Sequence, residues 1–279
     1  MSFEELLPGI KDWVDSLPAL GKTKLLFDIK LLDIFAVFGA AHLVGMALLG
    51  GCSILLNVRF MGAGLIDATP AKIEKALRPW FRIGLVIALL SGLVMGILTA
   101  SKVYGSAAFF SKMIALAAAL IFSLGVTNSI AKADGRISRD ASIAAAVAIL
   151  FWLGSLFVLV STEVANVGLV QLTTGCYAIL LIFGTNRTRI IAAAAYAVLF
   201  GGTYIMYWIV GFNSYDQVYL DISMYAIIAG LLIVAGLLFL ELRKGNAQAS
   251  SPLARIVALF SILTWITVAT DGRWIGQSP

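Results

Sequence analysis

Apolar residues fill this chain in long runs that charged residues interrupt only at intervals. The runs lie near 33–57, 81–101, 107–129, 142–161, 164–184, 190–212, 219–241 and 253–270. Each holds about 20 residues, enough for a helix to cross the hydrocarbon layer with every backbone group satisfied within the helix. The pattern predicts an all-α polytopic membrane protein of eight transmembrane helices. Ahead of the first run, Phe3, Leu6, Leu7, Ile10, Trp13, Val14 and Leu17 recur at helical spacing against Glu4, Glu5, Lys11, Asp12 and Asp15. That is the pattern of an interfacial amphipathic helix. Its polar face is acidic, so attraction to anionic lipid is not its anchor; interfacial packing and docking on a partner subunit are its two readings. In the linker 61–80, AKIEKALRPW predicts a short separate helix before the second span.

Composition agrees with the pattern. Of 279 residues, 61 % are hydrophobic and 13 % charged, with a mean hydropathy of +0.98, more apolar side chain than a water-soluble core can hide. The lipid bilayer is the expected solvent. The start, MSFEELLPGIKDW, is acidic where a secretory signal is basic, so no cleavage is expected. Sorting by alternate loops places 13 of the 20 Lys and Arg, from Arg59 to Arg255, on one side with five of the 15 acids. The positive-inside bias makes that side cytoplasmic, with both termini periplasmic in a bacterial inner membrane. No basic stripe with interleaved aromatics points to nucleic acid. Cys52 and Cys176 fall inside apolar spans and read as small packing residues.

The chain also resembles itself. AHLVGMALLGGCSILL (41–56) over ANVGLVQLTTGCYAIL (165–180) pairs Ala41 with Ala165, Leu48 with Leu172, and Gly51-Cys52 with Gly175-Cys176. Further on, Arg82-Ile83 pairs with Arg189-Ile190 and Trp152 with Trp265. An even number of spans per copy gives both copies one orientation, so two parallel four-helix repeats are predicted. The organisation expected is an interfacial helix over 1–24, a first repeat over 25–162 and a second over 163–279.

Ionisable groups at membrane depth cost about 2.5–3.5 kcal/mol each on insertion scales, so they need a partner, a cavity or a function. His42, Lys112, Asn166, Gln171, Tyr204, Tyr207 and Asp221 all fall in the outer halves of their spans, and Glu163, Asp271 and Arg273 close the outer ends as a gate or rim. A polar cavity open to the periplasm would account for this asymmetry. The alternative is a Lys112 that snorkels outward to Glu163 or Asp221 and a His42 that bonds a neighbouring helix, with no ligand. Gly39, Gly45, Gly50, Gly51, Gly84, Gly92 and Gly96 would let the first two spans approach closely. His42 and Met46, one turn apart, could supply soft ligands to copper. A haem would need His42 plus a methionine or a second subunit, since the chain has a single His. No Walker loop, dinucleotide fingerprint, HExxH or nucleophile triad is present, so no catalytic residue is assigned.

AHLVGMALLGGCSILLNVRFMG, LRPWFRIGLVIALLSGLVMG, SAAFFSKMIAL and SILTWITVATDGRWIG resemble uncharacterised bacterial membrane proteins related to the copper-resistance protein D family. The resemblance covers the first three spans and the last, and carries over His42, Arg59, Lys112 and Arg273. The chain departs from the family pattern at Asn57-Val58-Arg59, and at Val126-Thr127-Asn128, where a second His is often found. The expected function is a non-enzymatic inner-membrane protein with a periplasm-facing polar cavity, transporting or sensing a small solute or metal ion. The alternative is a membrane anchor or electron-transfer subunit of a periplasmic redox enzyme, with another membrane or periplasmic subunit as partner.

Overall fold

The computed structural model describes residues 3–22, 31–160, 165–212, 216–243 and 250–275. Among these the chain is helical throughout, with no strand. Short turns at Phe3–Leu6 and Pro8–Ile10 lead into α1 (Lys11–Lys22). Then follow α2 (Leu31–Phe60), α3 (Pro70–Leu98), α4 (Ala107–Lys132), α5 (Arg139–Val160), α6 (Ala165–Phe183), α7 (Asn186–Val210), α8 (Gln217–Arg243) and α9 (Pro252–Trp274). Seven of these, α2 to α5 and α7 to α9, are long and apolar enough to cross a membrane. The protein is a multi-pass helical membrane protein. The shorter apolar stretch Leu169–Phe183 belongs to α6.

The segment AKIEKALRPW is not a separate helix. It forms the first turns of α3, which runs unbroken through Pro79. Thr69 caps that helix by accepting from the Lys72 amide at 3.4 Å, and Pro70 takes the first helical position, where no backbone donor is needed.

The last helix lies at the centre. In α9, 72 % of the most apolar window is buried inside the protein, against 6 % to 33 % for the other six long helices. α9 packs chiefly on α4, α2 and α6. Its buried face carries Ser261, Thr264, Thr267, Thr270 and Asp271, and hydroxyls there bond across helices. Trp152 Nε1 on α5 donates to Thr267 Oγ1 at 3.0 Å, and Asn57 Nδ2 on α2 donates to Ser261 Oγ at 2.9 Å. In lipid, such polar contacts and close packing hold helices together where hydrophobic burial cannot.

The closest helix pair is α2 with α3. A Cβ on Gly45 would sit 2.7 Å from the Ala88 nitrogen, and one on Gly84 would sit 2.7 Å from Leu48 Cβ. Of the other expected glycines, Gly50, Gly51 and Gly96 face nothing within 4 Å.

At the end of the bundle that holds the basic loops, side chains fasten the helix termini. Arg59 Nε donates to Ala68 O at 2.8 Å and Arg255 Nη1 to Leu242 O at 2.9 Å. Buried Glu241 accepts from Thr185 and Thr188. At the other end, Val14 of α1 is buried against Ala100 and Tyr104 of the short helix Ala100–Gly105, and the Tyr104 hydroxyl donates to Leu7 O. Leu6, Leu7, Ile10 and Trp13 stay exposed.

Candidate functional site

α9 extends one turn beyond its apolar run, and Asp271 lies on its inner face. Asp271 is not the rim residue expected from the sequence: it is fully buried. Ser111 Oγ on α4 lies 2.6 Å from Asp271 Oδ2 and 2.8 Å from Ser155 O on α5, so two acceptors share one hydroxyl proton. Asp271 Oδ1 is buried with no hydrogen-bond partner among the described residues.

Lys112 follows Ser111 and turns its amine to the same place. A Cβ built on Gly272 would stand 3.2 Å from Lys112 Nζ, so the absence of a side chain there makes room for the ammonium. The ammonium lies within electrostatic range of Asp271, and its field also reaches His42; of the two partners in the no-ligand alternative, Glu163 lies outside the described residues and Asp221 bonds Gln217. No ion pair shorter than 4 Å joins Lys112 to Asp271 among the described residues. A buried carboxylate, an ammonium and a hydroxyl thus come together where α4 meets α9.

His42 stands on α2 facing α3, over Gly92, where a Cβ would come within 3.1 Å of His42 Cε1. Nδ1 is 3.0 Å from Ala88 O and 3.2 Å from Ser91 Oγ. A carbonyl only accepts, so Nδ1 carries the proton, and in the neutral ring Nε2 keeps its lone pair. A backbone carbonyl orienting one ring nitrogen while the other is left for a ligand is the usual arrangement around metal-binding histidines. Met46 shares that helix face one turn on. An imidazole and a thioether are donor types that suit a soft monovalent copper ion; among the described residues there is no cluster of three or more His, Cys, Asp or Glu that could hold a metal ion. For haem, the donor set offers only His42 and a methionine.

The remaining predicted residues divide. Gln171 Oε1 accepts from Trp274 Nε1 at 3.1 Å, one turn past Asp271, and so ties α6 to the charged pocket. Tyr207 packs on Tyr219, ring centroids 5.0 Å apart, and Tyr204 packs on Trp208 at 6.3 Å. Asp221 is exposed and accepts from Gln217 Nε2 at 2.8 Å. These three belong to an aromatic patch on α7 and α8, apart from the pocket of Asp271. Arg273 is exposed. Glu163 and the side chain of Asn166 lie outside the described residues.

A second polar place escaped the sequence reading. At the basic end, a cleft of about 70 Å³ lies between α2, α3 and α4, with Ser53, Glu74, Arg78, Arg82, Ser123 and Asn128 among its lining. The α4 wall is a π-helical segment, Ile121–Val126. Widened turns of this kind leave backbone carbonyls short of donors. Thr127 Oγ1 answers Ser123 O at 3.3 Å, and Asn128 Nδ2 lies 3.5 Å from Leu124 O.

Fold and pockets together define a helical multi-pass membrane protein with ionisable groups buried at one end and a polar cleft at the other. The chain belongs to a family of unknown function, DUF6644, whose model matches residues 18–170 and 182–278. No curated protein and no solved structure matches it.

Proposed function

We propose that this protein moves or senses a small solute or metal ion across a bacterial inner membrane, through the pocket of Asp271, Lys112 and Ser111 with His42 beside it. The observation that carries the reading is the buried Oδ1 of Asp271, which has no hydrogen-bond partner among the described residues, next to an ammonium. Ionisable side chains inside membrane bundles are expensive, and where they occur they mark substrate or ion pathways. A pair serving helix packing alone would be expected to close into a direct ion pair with its lone pairs filled. The proposed topology has eight spans. Leu169–Phe183 counts as the eighth because it packs against α8 and α9 and, at about 1.5 Å per residue, nearly spans the hydrocarbon when flanking residues are added. The parallel repeat rests on the sequence matches, and the periplasmic position of the Asp271 end on the basic residues gathered at the other.

Copper and iron per chain, measured by elemental mass spectrometry on protein purified in mild detergent, test the nature of the ion. Copper near one per chain, lost in His42→Ala at equal protein yield, supports the copper form of the proposal and its resemblance to the copper-resistance group. Copper unaffected by His42→Ala, or stoichiometric iron, contradicts a copper site at His42. Absence of both metals restricts the pocket to an organic solute or a non-metal ion.

A further inference from the structure

We infer that the cleft between α3 and the π-helical segment of α4 is a binding site for a phosphodiester anion, the headgroup of an anionic phospholipid. The inference is independent of the pocket at Asp271. Charge sets the ligand class. Glu74 is buried and bonded twice by Arg78, one contact being Arg78 Nε to Glu74 Oε1 at 2.6 Å, so these two charges cancel. Arg82, one turn further along α3, lines the same cleft and has no hydrogen bond or ion pair among the described residues. The net charge of the lining is +1, which matches a phosphodiester monoanion better than a dianionic phosphate monoester.

Hydrogen bonding narrows the class. Asn128 Oδ1 lies buried in the cleft wall without a donor, because the amide nitrogen is turned to Leu124 O. This orientation of the Asn128 amide follows from its one contact, Nδ2 to Leu124 O at 3.5 Å, and leaves Oδ1 as the open acceptor. A ligand that satisfies it brings a hydroxyl or ammonium donor beside its anionic group, as glycerol headgroups do. Ser53 and Ser123, bonded to each other at 2.9 Å, add hydroxyl groups at the floor.

Access completes the case. Leu56, Leu77, Phe81 and Leu124 form apolar walls, and Leu124 is 50 % exposed on the outer surface of the bundle, so the cleft opens sideways where acyl chains lie. Trp80, exposed between Arg78 and Arg82, has the placement of an interfacial aromatic anchor.

The test measures thermal stabilisation of the purified full chain by added lipid, together with lipid retained in native mass spectrometry. Phosphatidylglycerol is expected to stabilise the protein at lower concentration than phosphatidylcholine, with one tightly retained molecule per chain. Arg82→Gln and Asn128→Leu should each raise the half-saturating concentration, Arg82→Gln by about tenfold for the loss of one charge-assisted contact. Stabilisation by inorganic phosphate that also depends on Arg82 would keep the phosphate site and assign it to a soluble anion. Equal responses to the two lipids, or a folded Arg82→Gln protein that responds as wild type, would overturn the inference. Arg82 is exposed and unbonded, so its loss should leave the fold intact.

Discussion

Asp271→Asn is expected to destabilise the protein by about 1–3 kcal/mol, and adding Lys112→Met should restore most of that loss. Asparagine keeps the shape of the buried side chain and its contact with Ser111, but it removes the carboxylate charge beside the Lys112 ammonium at Gly272. Leaving one buried or part-buried polar group uncompensated costs about 1–3 kcal/mol, whereas replacing both charges by neutral groups of similar size is close to neutral. The two single variants should therefore each lower the melting temperature in detergent, with the double variant near wild type. The coupling between them should be at least about 1 kcal/mol. Losses that simply add would mean that the two charges do not share a pocket, and the account of the site would fail with them.

The second large effect is expected at Gly84. A side chain there meets Leu48 Cβ at 2.7 Å, Gly45 O at 2.9 Å and the Leu49 nitrogen at 3.0 Å. Two of these are backbone and the third is a Cβ, so none can swing aside, and α2 and α3 must separate. Gly84→Leu should cost about 3 kcal/mol, at the upper end for overpacking. It should also disturb His42, whose only hydrogen bonds among the described residues are to α3. Gly96→Ala is the control: nothing lies within 4 Å of its Cβ, and a helical Gly→Ala change should be neutral or stabilising by up to about 1 kcal/mol. Monodispersity after heating, read by size exclusion, separates the outcomes. A Gly84→Leu protein as stable as Gly96→Ala would show that the two helices do not touch there.

The helices were legible because lipid imposes length and apolarity on each one separately, so local composition is enough to find it. Their arrangement was not legible in the same way. That α9 is central follows from which helices its hydroxyl face meets, a long-range fact; the trace of it in the sequence is the three-residue spacing of Ser261, Thr264, Thr267 and Thr270. Asp271 was placed at the rim because the apolar run ends at Thr270, whereas hydrogen bonding carries the helix on to Trp274. AKIEKALRPW reads in the sequence as a short separate helix, yet it continues into one α3, with exposed Pro79 inside it. His42, Lys112 and Gln171 stood out as polar residues within apolar runs, and the structure sets each at or near the α9 end. The cleft at Arg82 was missed because its arginines read equally well as topology signals, and because Ser53, Ser123 and Asn128 are isolated polar residues on two helices. Their meeting depends on the π-helical widening of α4, for which IFSLGV carries no recognisable signal.

The most direct test of the central claim is whether the buried pocket opens to the outer side. In a chain with Cys52 and Cys176 replaced by alanine, Ser111→Cys would be exposed to a membrane-impermeant, positively charged methanethiosulfonate in right-side-out vesicles, with Arg273→Cys as the exposed reference. The account predicts that both cysteines are modified, Ser111→Cys more slowly, since Ser111 is fully buried in the structure described here and becomes accessible only when the pocket opens. Rapid labelling of Arg273→Cys with none at Ser111→Cys would mean that the charged pocket is sealed packing between helices, and would contradict a role in moving or sensing a solute.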